Sequence, residues 1–171
     1  MVKKYLRLVI AGILFLGSIL LFVKGLVSLG ILVLLLSGLF VLVHFKNEMN
    51  LLAFYFVRKN KLEKAAKVLA RVKHPELMIK SQEAYFYYLS ALIEVQSHSN
   101  SKAEKNFKKA LKIGLRLKND QAVAKLNLSG IALSQRNKKL ATYYLQESKK
   151  LDKQKLLTAQ IREIEGMMKR I

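Results

Sequence analysis

Residues 89–111 read LSALIEVQSHSNSKAEKNFKKAL: a leucine and a small residue, an apolar run, a polar turn, and a second run opened by Ala103. The same order recurs on both sides. Residues 51–72 are LLAFYFVRKNKLEKAAKVLARV, and residues 128–148 are LSGIALSQRNKKLATYYLQES. Aligned on the leucine, the small residue is Ala53, Ser90 or Ser129, and three positions on stands Phe56, Ile93 or Ala132. After the turn comes Ala65, Ala103 or Ala141, then Leu69, Phe107 or Leu145, then Val72, Ala110 or Ser148. Both intervals between those alanines are 38 residues. Apolar positions return after three and four residues, the period of a helix that buries one face. Three successive pairs of amphipathic helices are expected, each with a small residue that lets a neighbouring helix approach.

Over residues 48–152 this pattern resembles the tetratricopeptide repeat. Its departures are an interval longer than the family's ~34 residues, Lys125 in place of an early aromatic in the third unit, and no proline after each second helix except Pro75 nearby. The helices are expected at 48–58, 61–73, 76–97, 101–118, 120–135 and 137–151. A capping helix over 153–170 carries Leu156, Leu157, Ile161, Ile164, Met167 and Met168 on one stripe. Pro75 suits the start of the third helix, where a missing N–H does no harm. Ser101 with Glu104 reads as a capping box, and Asn119-Asp120 as a stop followed by a new start.

The chain before the repeats differs in character. Residues 1–45 hold four basic residues (Lys3, Lys4, Arg7, Lys24) and no acidic one. Two apolar runs, about 5–23 and 26–45, flank Lys24-Gly25, and the second alone suits a hydrocarbon core of roughly 30 Å. No small-x-small cleavage site follows the first run, so a transmembrane hairpin is expected over a cleaved signal. Gly12, Gly17, Gly30, Ser37 and Gly38 would let its helices approach closely. The second helix is expected to run on towards Arg58. Basic residues on both outer flanks place the N-terminus and residues 46–171 in the cytoplasm of a bacterial-type inner membrane. The expected fold is therefore all-α: a membrane hairpin over 1–45 and a tetratricopeptide-like solenoid over 46–171.

Composition narrows the chemistry. The 171 residues include no Cys, and 31 basic against 11 acidic residues give a net charge of +20. Disulfides, thiol redox centres, cysteine zinc sites and acylated lipoproteins are excluded, and 52% hydrophobic residues exclude intrinsic disorder. His44, His74 and His98 do not share metal-ligand spacing, and no phosphate-cradling glycine loop follows a strand. No enzyme and no cofactor is expected.

Two surfaces stand out. Lys102, Lys105, Lys109, Lys112 and Arg116 recur at three and four, as do Lys61, Lys64, Lys67 and Arg71 one unit earlier. The resemblance implies that these second helices form the outer side, either as a solvated face or as one drawn to anionic lipid. Tyr85, Tyr87 and Tyr88 lie on another helix, which argues against nucleic acid. The resemblance implies a groove lined by the first helices, here Asn50, Phe54, Val57, Tyr87, Ala91, Glu94, Leu126, Gly130 and Leu133. A groove of this composition suits an amphipathic or extended apolar segment, unless the last helix or a second copy fills it. The expected role is a membrane-anchored scaffold that recruits another protein. The alternatives are a small structural subunit of a membrane complex and a membrane-tethered nucleic-acid binder, and partners include membrane lipid, another protein or a homo-oligomer.

Overall fold

A computed structural model describes the backbone of residues 2–45 and 48–170, with side chains over 8–41 and 48–170. It divides into two compact units, residues 1–48 and 49–171, the boundary falling at the first residue of the third helix. Among the described residues every regular element is helical.

The first unit is a helical hairpin of α1 (Val2–Val23) and α2 (Val27–Phe45). Between them Gly25 takes φ 77°, left-handed backbone that a Cβ would strain, so the chain turns at Lys24-Gly25. Small residues bring the helices together. The buried Ser37 hydroxyl donates to the Ala11 carbonyl at 2.9 Å, and a Cβ on Gly30 would meet the Phe22 ring at 2.9 Å. Among the described residues, a Cβ on Gly12, Gly17 or Gly38 would meet nothing within 4 Å, so no close approach requires glycine there. The outward positions are large and apolar, among them Val9, Ile13, Leu16, Leu20, Leu35 and Leu39.

Among the described residues no helix is long and apolar enough to cross a membrane. This corrects the expected pair of spans and the placement as an integral protein of the bacterial inner membrane. The expected continuation of the second helix to Arg58 passes through residues 46 and 47, which lie outside the described residues.

The second unit comprises α3 (Glu48–Arg58), α4 (Leu62–Leu69), α5 (Lys80–Gln96), α6 (Asn100–Ile113), α7 (Lys118–Ser134), α8 (Lys138–Leu151) and α9 (Thr158–Lys169), with a 3-10 turn at Pro75–Leu77. The 38-residue interval governs whole helix pairs. α3, α5 and α7 end at Arg58, Gln96 and Ser134, and α4, α6 and α8 begin at Leu62, Asn100 and Lys138. Each turn holds one left-handed residue, Asn60, His98 or Arg136, with φ between 54° and 58°. Each closes with one equivalent bond: Lys61 N–H to Phe56 O at 2.8 Å, Ser99 N–H to Glu94 O at 2.8 Å, and Asn137 N–H to Ala132 O at 2.9 Å.

That interval corrects the register of the second pair. Ala53, Ala91 and Ser129 are the equivalent small residues, all fully buried. Alignment on the leucines puts Ser90 there instead, because Ser90 and Ala91 are both small and the polar turn absorbs the slip. The Ser90 hydroxyl bonds along its own helix, to Phe86 O at 2.9 Å. On the second helices Ala65, Ala103 and Ala141 are fully buried, with Leu69, Phe107 and Leu145 filling the space between crossings. Each large side chain contributes roughly 1.5–3 kcal/mol by leaving water.

Several local expectations change. α6 starts after Ser99, which makes no side-chain cap, and Glu104 accepts from Lys108 at 2.6 Å and Gln135 at 2.8 Å instead of closing a box with Ser101. α6 stops at Gly114, with φ 112°, so Asn119 and Asp120 lie inside α7. Pro75 opens the 3-10 turn, and α5 begins only at Lys80. The last helix is shorter than 153–170. Its chain is guided by the buried Asp152, whose two oxygens each accept a backbone N–H, from Leu156 and Leu157, at 2.9 Å. α9 then packs Ile161 against Leu126 and Leu145, and Ile164 and Met168 against the neighbouring cluster of Ala132, Leu133 and Ala141.

Candidate functional site

The corrected register decides which residues face inward. Along the first helices the equivalent positions are 50, 88 and 126; 54, 92 and 130; and 57, 95 and 133. The last members meet α9. Between the end of α5, α7 and α9 lies a cleft of about 400 Å³. Its apolar lining comes from Val95, Val123, Leu126, Ile131, Leu157, Ile164 and Met167, and its polar groups are Asn100, Asn127, Gln160 and Glu163. Gly130 leaves room there, since any larger residue would project towards Ile164. The Asn127 amide donates back to Val123 O at 2.9 Å, and its carbonyl oxygen belongs to a residue lining the cleft.

Only part of the expected groove is gathered here. Leu126 and Gly130 line the cleft. Leu133 is buried beneath α9, with Ala132 and Ala141 in the same cluster. Ala91 is fully buried at a helix crossing. Asn50 is also buried, and its amide donates to Gln82 O at 2.8 Å, stitching α3 to α5, while its Oδ1 has no hydrogen-bond partner among the described residues. Phe54 is half-buried, its ring 6.0 Å from Tyr85 with the Arg58 guanidinium 5.7 Å from its centroid. Val57 packs against the same core.

Tyr87 and Glu94 are turned towards α6. Lys109 Nζ donates to the Tyr87 hydroxyl at 2.6 Å and lies 3.9 Å from the ring centroid. The Asn106 amide donates to Glu94 at 2.8 Å. Both displacements follow from the one-residue slip, which rotates a helical position by about 100°. Val95, Val123 and Asn127 were not anticipated in the groove. A shift of one residue in α5 finds Val95, whereas the α9 wall depends on how the last helix docks.

The outer residues Lys61, Lys64, Lys67, Arg71, Lys102, Lys105, Lys109, Lys112 and Arg116 are all exposed. Lys61 is the residue before α4, while Arg71 and Arg116 lie past the ends of α4 and α6. The 38-residue interval pairs Lys64 with Lys102, Lys67 with Lys105 and Arg71 with Lys109. In α8 the same places hold Leu140, Tyr143 and Glu147. Three cations of the third pair are ion-paired, Lys125 and Lys150 with Glu147 at 2.9 and 3.0 Å, and Lys149 with Glu165.

One buried polar cluster lies between α5 and α7. Burial pushes the Tyr85 hydroxyl up to about 12, with the nearby Asp120 carboxylate adding to the shift. Burial also raises Tyr88. The Asp120 carboxyl is held above its ordinary range by burial, and the Tyr85 hydroxyl opposes that only in part. Asp120 occupies the place equivalent to Gln82, so the polar contact of Asn50 with Gln82 recurs one unit later as tyrosine facing aspartate. Among the described residues no group of three His, Asp or Glu is placed to hold a metal ion. No family model, curated protein or solved structure matches the chain.

Proposed function

We propose that the chain is a helical-repeat interaction module of the tetratricopeptide-like kind, taking an apolar or amphipathic segment of another protein into the cleft between α5, α7 and α9. The observation that carries this reading is the cleft itself: an apolar floor of Val123, Leu126 and Met167 edged by Asn127, Gln160 and Glu163. An apolar side chain of the segment enters over Leu126, and the amides of Asn127 and Gln160 serve its backbone. Glu163 makes no ion pair among the described residues and favours a basic neighbour in the ligand.

A photoreactive residue in place of Val123 joins the chain to one partner segment in intact cells, and the same residue in place of Lys64, on the outer side, does not. Met167→Glu abolishes the crosslink while leaving the helical signal intact. Equal capture from both positions, or capture that survives Met167→Glu, would refute the assignment.

A further inference from the structure

We propose that the edge of the second unit formed by the loops between successive helix pairs docks on an anionic lipid surface. The chain passes from one pair to the next at 70–79, 114–117 and 152–157. These loops expose Leu77 at 70%, Ile79 at 48%, Leu117 at 59% and Leu156 at 62%. Ile79 and Leu117 are equivalent on the 38-residue interval, each in extended backbone immediately before a helix. The opposite edge, at 59–61, 97–99 and 135–137, exposes no large apolar residue.

The same loops are cationic. Within them Lys73, Arg116, Lys153 and Lys155 are exposed, as are Lys80, Lys112 and Lys118 on the helix ends beside them, and none makes an ion pair among the described residues. Of the carboxylates within these loops, Glu76 is tied to His74 at 3.0 Å and Asp152 is turned inward onto Leu156 and Leu157. Helix stability does not account for the pattern. Lys80 and Lys118 are the first residues of α5 and α7, the ends where the helix dipole disfavours a cation.

Aliphatic tips flanked by unpaired cations supply the two forces that hold a protein at a charged bilayer, apolar insertion and attraction to anionic headgroups. A nucleic-acid surface carries aromatic platforms, and these loops expose no Phe, Tyr or Trp. A second copy would bring like charges face to face. The docking is a contact with the headgroup layer and needs no spanning helix.

The chain has no cysteine, so single labels are unambiguous. Leu77→Cys, Leu117→Cys and Leu156→Cys on one edge, and His98→Cys and Arg136→Cys on the other, take an environment-sensitive fluorophore on the full chain. Phosphatidylcholine vesicles with about 30% phosphatidylglycerol provide the anionic surface. The labels at 77, 117 and 156 shift to the blue and those at 98 and 136 do not. Arg116→Gln with Lys118→Gln reverses the shift at 117. The proposal is overturned by equal shifts at both edges, by no shift at 117, or by an undiminished shift on phosphatidylcholine alone. A blue shift without vesicles that grows with protein concentration also overturns it, in favour of self-association.

Discussion

A Cβ on Gly130 would lie 3.4 Å from Cδ1 of Ile164, so α9 settles against α7 at a residue that carries no side chain. One methyl group fits at that distance, and a longer side chain does not. Gly130→Ala should therefore raise stability by roughly 0.5–1 kcal/mol, through the lost backbone freedom of a glycine in mid-helix. Gly130→Leu should block the cleft and loosen α9. Urea unfolding of both variants checks this, and destabilisation by Gly130→Ala would show the crossing to be tighter than 3.4 Å implies.

The register of α5 is tested by adjacent residues. Ala91 is fully buried and the Ser90 hydroxyl bonds only within its own helix. Ala91→Leu should cost about 1–3 kcal/mol by overpacking, as should Ala103→Leu one helix later. Ser90→Ala should stay within about 0.5 kcal/mol of the parent. Urea midpoints in the opposite order would restore the alignment on the leucines.

Asp152 holds the start of α9 through two backbone N–H groups. Asp152→Ala leaves both without their acceptor, at roughly 1–3 kcal/mol for a buried group. Amide exchange should quicken across 158–169 while α5 and α6 keep their protection. Uniform quickening would instead mean that α9 unfolds only with the whole unit.

The Asp120 and Tyr85 pair sets a pH dependence. Burial raises the folded-state value of Asp120 above the ordinary 3.8. Its favourable contribution is complete below that value and is lost as pH rises through the folded one. Asp120→Asn should accordingly raise Tm near pH 7 and change it little near pH 3. For Tyr85 the contribution is complete below 10 and is lost as pH climbs through about 12. The absorbance difference between the parent and Tyr85→Phe should rise only near the upper figure. A difference curve with its midpoint near pH 10 would place Tyr85 at the surface.

The repeat was legible because helix crossings tolerate only small residues, and Ala65, Ala103 and Ala141 return on one interval. The turn at Lys24-Gly25 was legible for a comparable reason, since a lysine and a left-handed glycine interrupt two apolar runs. A last amphipathic helix could be read as well, and Ile161, Ile164 and Met168 of its stripe pack inward while Leu156 does not. Ser90 and Ala91 could not be told apart, because composition does not distinguish two adjacent small residues while hydrogen-bonded turns do. That single residue moved Tyr87 and Glu94 out of the expected groove and brought Val95 into the cleft.

Periodicity alone was enough for the helical class, the pairing of helices and the interval between pairs, because burial of one face imposes a local pattern. Which residues share a cleft was settled by packing. Val95, Leu126 and Met167 come from α5, α7 and α9, and only the docking of α9 on Gly130 brings them together. The exposed row of Leu77, Leu117 and Leu156 is of the same kind. Each is an ordinary apolar residue in its own segment, and the stacking of pairs places all three loops on one edge.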